Sequence, residues 1–121
     1  MAEKRIILEM GTGNDLYGQD YTKAARRAVQ DALHHSSITL FSNLGISHSE
    51  MRVQVTIAVQ NPDQVDCDLV VQDLPRGRAE VRAVKGGLDV EDSMTGTRHV
   101  VATAAVEAFL PDMAGQYRLN K

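Results

Sequence analysis

The sequence predicts an α+β domain: a mixed, mostly antiparallel sheet with two helices packed on one face. Three observations lead there. Met51–Gln60 and Arg78–Lys85 alternate apolar and polar residues, the period of a half-buried strand. Tyr21 to Leu33 carries apolar residues at helical spacing. The connections are short, so the strands and helices must stack as layers. The 121 residues suit a single domain spanning 1–121.

Arg5–Met10 is the first expected strand, with Ile6, Leu8 and Met10 on one side and Arg5, Ile7 and Glu9 on the other. A glycine-rich loop, Gly11–Asp20, follows it. Asp20 is then a natural N-cap, since its carboxylate can accept from free first-turn N–H groups. The helix after it buries Tyr21, Ala24, Ala25, Ala28, Val29, Ala32 and Leu33, a stripe small enough for close packing. Ser36 and Ser37 end it. Residues 38–50 are rich in Ser and Asn, with room for a short strand at Ile38–Phe41.

Met51–Gln60 is a clear strand, buried through Met51, Val53, Val55, Ile57 and Val59. Asn61-Pro62-Asp63 gives N-cap, N1 proline and first-turn acid to a helix over Pro62–Asp73. Pro75-Arg76-Gly77 turns into the strand Arg78–Lys85, which Gly86-Gly87 breaks. His99–Leu110 reads as a strand, because Val100, Ala102, Ala104, Val106, Ala108 and Leu110 then share one face. As a helix, Thr103 and Glu107 would interrupt its apolar stripe.

Composition narrows the function classes. Leu, Ile, Val and Phe make up 30 of 121 residues, about 25%, above the roughly 20% typical of disordered chains. The absence of Trp makes the core aliphatic. A net charge of −3 argues against a nucleic-acid surface. No apolar run reaches the ~18 residues of a membrane span. The N-terminus lacks the pattern of a signal peptide. Cys67 is alone and forms no internal disulfide, so a cytoplasmic location is expected.

The segment Gly11-Thr12-Gly13-Asn14-Asp15-Leu16-Tyr17-Gly18-Gln19-Asp20 is the expected seat of chemistry. Glycines allow close approach of backbone N–H groups to a ligand, and a helix N-terminus with Lys23, Arg26 and Arg27 adds positive potential. A carboxylate, phosphate or polarised carbonyl would suit it. Asp15 and Asp20 oppose an anion unless paired with those cations. The spacing GxGxxxxG is not the dinucleotide fingerprint GxGxxG, and no Gly-Lys-Ser/Thr completes a P-loop. The plain alternative is a tight turn capped by Asp20.

These residues, with Thr22-Lys23-Ala24-Ala25 and Arg27-Ala28, resemble a small uncharacterised family of bacteria and plants. Its hallmark is a GxGxDxHG motif near the N-terminus. Asn61–Asp66, Gly86-Gly87-Leu88 and Ala104–Glu107 extend the resemblance over most of the chain. The match carries over Gly11, Gly13, Asp15 and Gly18, but Tyr17 stands where the family has His. Tyr can replace a hydrogen-bond donor, though not an essential base. A weaker resemblance, in element order and ferredoxin-like layering, links the chain to chorismate-mutase-like and reactive-imine-deaminase-like trimers. The repeats of ring-opening amidohydrolases are similar. It implies ligand clefts between subunits and no particular reaction.

Other residues have simple readings. His34 and His35 are adjacent, a poor spacing for a metal on a helix, and suit a helix C-terminus instead. His48 and His99 are isolated, and no metal or cofactor is expected. Cys67 has no base at a telling spacing. Glu107 faces away from the apolar side of its strand, as a surface or interface residue or as a cleft carboxylate. Arg76, Arg78 and Arg82 form a solvated or interface face.

Two function classes follow. The first is an enzyme acting on a small polar carbonyl or amide compound. There Asp15 and Glu107 would serve as acid–base groups, and Gly11, Gly13, Tyr17, Gly18, Lys23, Arg27 and Lys85 would bind. The second is a non-catalytic oligomeric module for a metabolite or partner. Two helices cover one sheet face only. The other carries Gln54, Thr56, Ala58, Val84, Val101, Thr103 and Ala105, the mix of a partly wet interface. A homo-oligomer is therefore expected, with a trimer favoured and the Gly11–Gly18 loop near a seam.

Overall fold

The computed structural model describes residues 3–15, 20–34, 51–74, 78–91 and 93–111. One sheet contains β1 (Glu3–Asp15), β2 (Arg52–Val59), β3 (Arg78–Lys85), β4 (Leu88–Glu91) and β5 (Arg98–Pro111). Among the described residues, two α-helices, α1 (Tyr21–His34) and α2 (Cys67–Val71), join it. The strand order is β1-β5-β2-β3, and β4 pairs with β5 beyond the end of β2. β2 and β3 are parallel, while β5 runs antiparallel to β1, β2 and β4. Parallel neighbours need a crossover of a dozen or more residues, and the segment containing α2 supplies it. No described helix is long and apolar enough to cross a membrane.

The core follows the sequence pattern. On α1, Ala24, Ala25, Ala28, Val29 and Ala32 are buried. They meet Val53, Val55, Ile57 and Val59 of β2 and Val100, Ala102, Ala104, Val106 and Ala108 of β5. These side chains are short, so α1 lies close to the sheet over β1 and β5, and α2 packs against β3. The expected strands at 52–59, 78–85 and 98–111 form. The possible strand at Ile38–Phe41 lies outside the described residues.

Three expectations are corrected. β1 does not stop at Met10 but runs to Asp15, so Gly11 and Gly13 are strand residues rather than loop residues. Their missing side chains admit the helix. A Cβ on Gly11 would lie 2.3 Å from the Ala28 carbonyl oxygen, and one on Gly13 would lie 2.3 Å from the Ala28 nitrogen. β1 pairs with β5 through this whole stretch. The Thr12 N–H points away from β5 to the Asp31 carboxylate at 3.0 Å. By alternation, the Gly11 and Gly13 N–H groups face the ladder.

The helix expected over Pro62–Asp73 is instead a 3₁₀ turn at Pro62–Gln64 and the separate α2. Val65 is extended, and the Asp66 N–H donates to the Thr22 hydroxyl at 2.9 Å. Asp66 then caps α2, accepting from the Leu69 N–H at 3.1 Å. Asn61 precedes the turn without capping it, because its side chain bonds to Tyr21 instead. Arg26 locks this segment to α1 through a two-pronged pair with Asp73, at 2.8 and 3.1 Å.

The third correction is β4, a strand that periodicity did not reveal. Gly87 makes it possible. Its φ is +63°, and a Cβ there would meet the Val101 carbonyl oxygen at 2.4 Å. The chain can therefore cross the end of β2 and pair with β5.

The helix–strand approach yields a direct test. Gly13→Ala places a methyl group against helix backbone, which cannot swing aside as a side chain can. It should lower unfolding free energy by about 1–3 kcal/mol, the usual cost of overpacking. Thr12→Ala, at an exposed neighbour, should change it less. Urea denaturation of the two variants checks this difference.

Candidate functional site

The residues with unusual chemistry gather at one end of the sheet, on its helix-covered face. Asp15 of β1 and Asp89 of β4 both lie opposite Val100 of β5. They therefore flank Val100 from either side, with α-carbons about 10 Å apart at ordinary strand spacing. The N-terminus of α1 completes this end, bringing Asp20 and Tyr21. Its free N–H groups and dipole favour negative charge. Asp20 caps the helix as its sequence position predicts, its carboxylate accepting from the Lys23 N–H at 3.0 Å.

Asp15 is buried, and both its oxygens are engaged. One accepts from the Asp20 N–H at 2.9 Å, and the other lies 3.6 Å from Nη1 of Arg27. Arg27 also donates to the Asn14 carbonyl. Asp15 thus holds the exit of β1 to the start of α1.

Asp89 is arranged differently. The Tyr21 hydroxyl donates a hydrogen bond to Oδ2, and Nη1 of Arg98 lies 3.5 Å from the same oxygen. Asn61 Nδ2 donates to the Tyr21 oxygen at 3.1 Å, so Asn61, Tyr21 and Asp89 form a relay. Oδ1 of Asp89 is buried and has no hydrogen-bond partner among the described residues. Burial, followed by the neighbouring Asp89 carboxylate, raises the pKa of the Tyr21 phenol above its ordinary value. Tyr21 therefore acts as a neutral donor.

The remaining expected site residues are scattered. Lys23 is exposed on the first turn of α1, and Lys85 is exposed at the end of β3. Gly11 and Gly13 lie beneath α1, where ladder pairing and helix packing occupy them. Tyr17 and Gly18 lie outside the described residues. Glu107 is on the opposite sheet face, paired with Arg5 at 3.2 Å. It is seven residues along β5 from Val100, roughly 24 Å. It therefore cannot share a reacting centre with Asp15 within one protomer. Cys67 is half-buried at the start of α2, and burial and then the Asp68 and Asp66 carboxylates push its thiol pKa up. Among the described residues, no group of three or more His, Cys, Asp or Glu could hold a metal.

Sequence reading missed Asn61, Asp89 and Arg98 as site residues and took Tyr21 for core alone. The available signal was Leu88-Asp89-Val90, an acid between two apolar residues. In a strand, that acid must face away from both neighbours.

Tyr21→Phe isolates the relay. Removing the hydroxyl takes the phenol donor from a largely buried carboxylate and should cost about 1–3 kcal/mol. The pH dependence has a definite sign. With the phenol pKa raised on folding, its contribution is full below the unfolded value near 10 and is lost as pH rises through the folded value. Stability of the parent should therefore fall in that alkaline window, and the slope should be smaller in Tyr21→Phe. Denaturation at a series of alkaline pH values reads both effects.

Comparison with known proteins places this geometry in a family context. Residues 5–108 match the family model described as "Conserved hypothetical protein (Lin0512_fam)". The fold is similar to the crystal structure of an FtsZ-like protein of unknown function from Nostoc punctiforme. That match has a TM-score of 0.80 and 36% identity, covering 93% of this chain and 99% of that one. No curated protein matches the chain.

Proposed function

The chain belongs to the conserved hypothetical protein family Lin0512_fam, and from that premise we propose that it binds a small polar carbonyl or amide compound at the Asp89 end of the sheet. One observation carries this reading: Oδ1 of Asp89 is buried and unpartnered among the described residues. An unsatisfied buried acceptor costs about 1–3 kcal/mol, and native proteins keep few of them. A ligand N–H or O–H would satisfy it. Arg98, whose side chain is about half exposed beside Asp89, supplies a donor for a carbonyl or carboxylate oxygen. An amide offers both complements within a few ångströms. Tyr21 and Asn61 hold the carboxylate in place.

Binding without catalysis is the better-supported form of the proposal. Asp15 has both oxygens engaged, and Glu107 lies on the other face. The acid–base pair expected from the sequence is therefore not assembled in one protomer. An oxyanion cradle at Gly11 and Gly13 would need N–H groups that face the sheet ladder.

A thermal-shift screen against small amides, carboxylates and phosphates tests the proposal. Ligand at 100 times its Kd adds about 2.7 kcal/mol of apparent stability. Amides should raise Tm in the parent and in Cys67→Ala, and should lose their effect in Asp89→Asn and Arg98→Ala. A parent that responds to none of the three classes, or variants that respond as the parent does, would overturn the proposal.

A further inference from the structure

The sheet face opposite the helices presents an ordered pattern. Register alone sets out its rows. Arg5, Phe109 and Arg52 lie side by side, followed by Leu8, Glu107, Gln54 and Glu80. Next come Met10, Ala105, Thr56 and Arg82, then Thr12, Thr103, Ala58 and Val84. Asn14, Val101 and Leu88 follow, and His99 with Val90 completes the face.

The face is divided in two ways. Charges collect at the Arg5 end, where both signs alternate. Glu107 pairs with Arg5, and Arg52 sits 4.2 Å over the Phe109 ring. Apolar side chains stand out along the rest of the face: Leu8, 41% exposed, beside Glu107, Met10, 68%, in the next row, and Val84, 40%, Leu88, 55%, and Val90, 43%, toward the opposite end. Between the flanks, small side chains leave a hollow of about 390 Å³, bordered by Met10, Thr12, Thr56, Ala58, Thr103 and Ala105 and also by Asp31 of α1.

We propose that this face is a self-association surface and that a second copy of this chain occupies it. The same face carries both a hollow and projecting apolar side chains large enough to enter one, so two copies can complement each other. Its roughly twenty positions match the 20–30 residues that each partner gives to a standard interface. Alternating charges at the Arg5 end present no field of one sign, so a polyanion has no purchase there. A second copy brings both signs to meet both signs. Exposed apolar groups gathered on one face mark interaction surfaces rather than ordinary monomer surface. This surface is on the reverse side from Asp89 and does not depend on the ligand proposal.

Sedimentation equilibrium at micromolar concentration tests the surface. The parent should run at no less than twice its 13.3 kDa chain mass. Ala105→Arg fills the hollow and Leu88→Asp removes the prominent rim. Each should weaken association at least tenfold with an unchanged circular dichroism spectrum. Lys23→Glu, on the helix side, should leave the mass unaltered. A monomeric parent would overturn the proposal, as would assembly that survives both substitutions. If Ala105→Arg fails to fold, Leu88→Asp decides the matter, because its side chain is already largely in solvent.

Discussion

The closeness of α1 to β1 sets the rest of the molecule. With no Cβ at Gly11 or Gly13, helix backbone rests on strand backbone, and the alanines of α1 reach β5 without a gap. The helix can therefore start where β1 ends, joined through the Asp15–Asp20 hydrogen bond. That placement puts Tyr21 within reach of Asp89. A larger residue at Gly13 would lift the helix and draw the phenol away from its carboxylate. Packing, capping and the polar site are consequences of one steric allowance.

Much of the fold was legible because most of its signal is local. Alternation identified β2, β3 and β5, and the alanine stripe identified α1. The errors arose where tertiary contacts override local preference. Gly11 and Gly13 look like loop residues, and only the helix above them explains why they lie in a strand. Asn61 and Pro62 look like a helix start, yet Asn61 spends its amide on Tyr21, and Thr22 binds the Asp66 N–H. The 3₁₀ turn therefore ends before a long helix can grow. β4 spans four residues, too short for periodicity, and depends on Gly87 crossing the end of β2.

The candidate site was less legible for the same reason. Its members come from α1, the 60s segment, β4 and β5, and no pair of them stands at a motif spacing. Asp15, Asp20 and Arg27, singled out in the sequence, lie at the same end of the sheet as the proposed Asp89 site. At Asp15 the sequence shows the carboxylate but not the partners that engage both its oxygens. Asp15 and Asp89 differ in how their oxygens are used: one is saturated by backbone and arginine, and the other keeps a buried oxygen in reserve. That distinction exists only in three dimensions.

The outer border of β1 carries a consequence for how copies can join. Among the described residues no strand lies beyond β1 in the sheet order, so its outward groups at Thr12 and Asn14 would be templates for another chain. The side chains of α1 occupy them: Asp31 takes the Thr12 N–H and Arg27 takes the Asn14 carbonyl. A strand arriving there must first displace a carboxylate and a guanidinium. Growth of one continuous ribbon from molecule to molecule needs both borders to be receptive, and this stretch is sealed. If copies associate as proposed, sheet-to-sheet stacking is thereby favoured over growth along this edge.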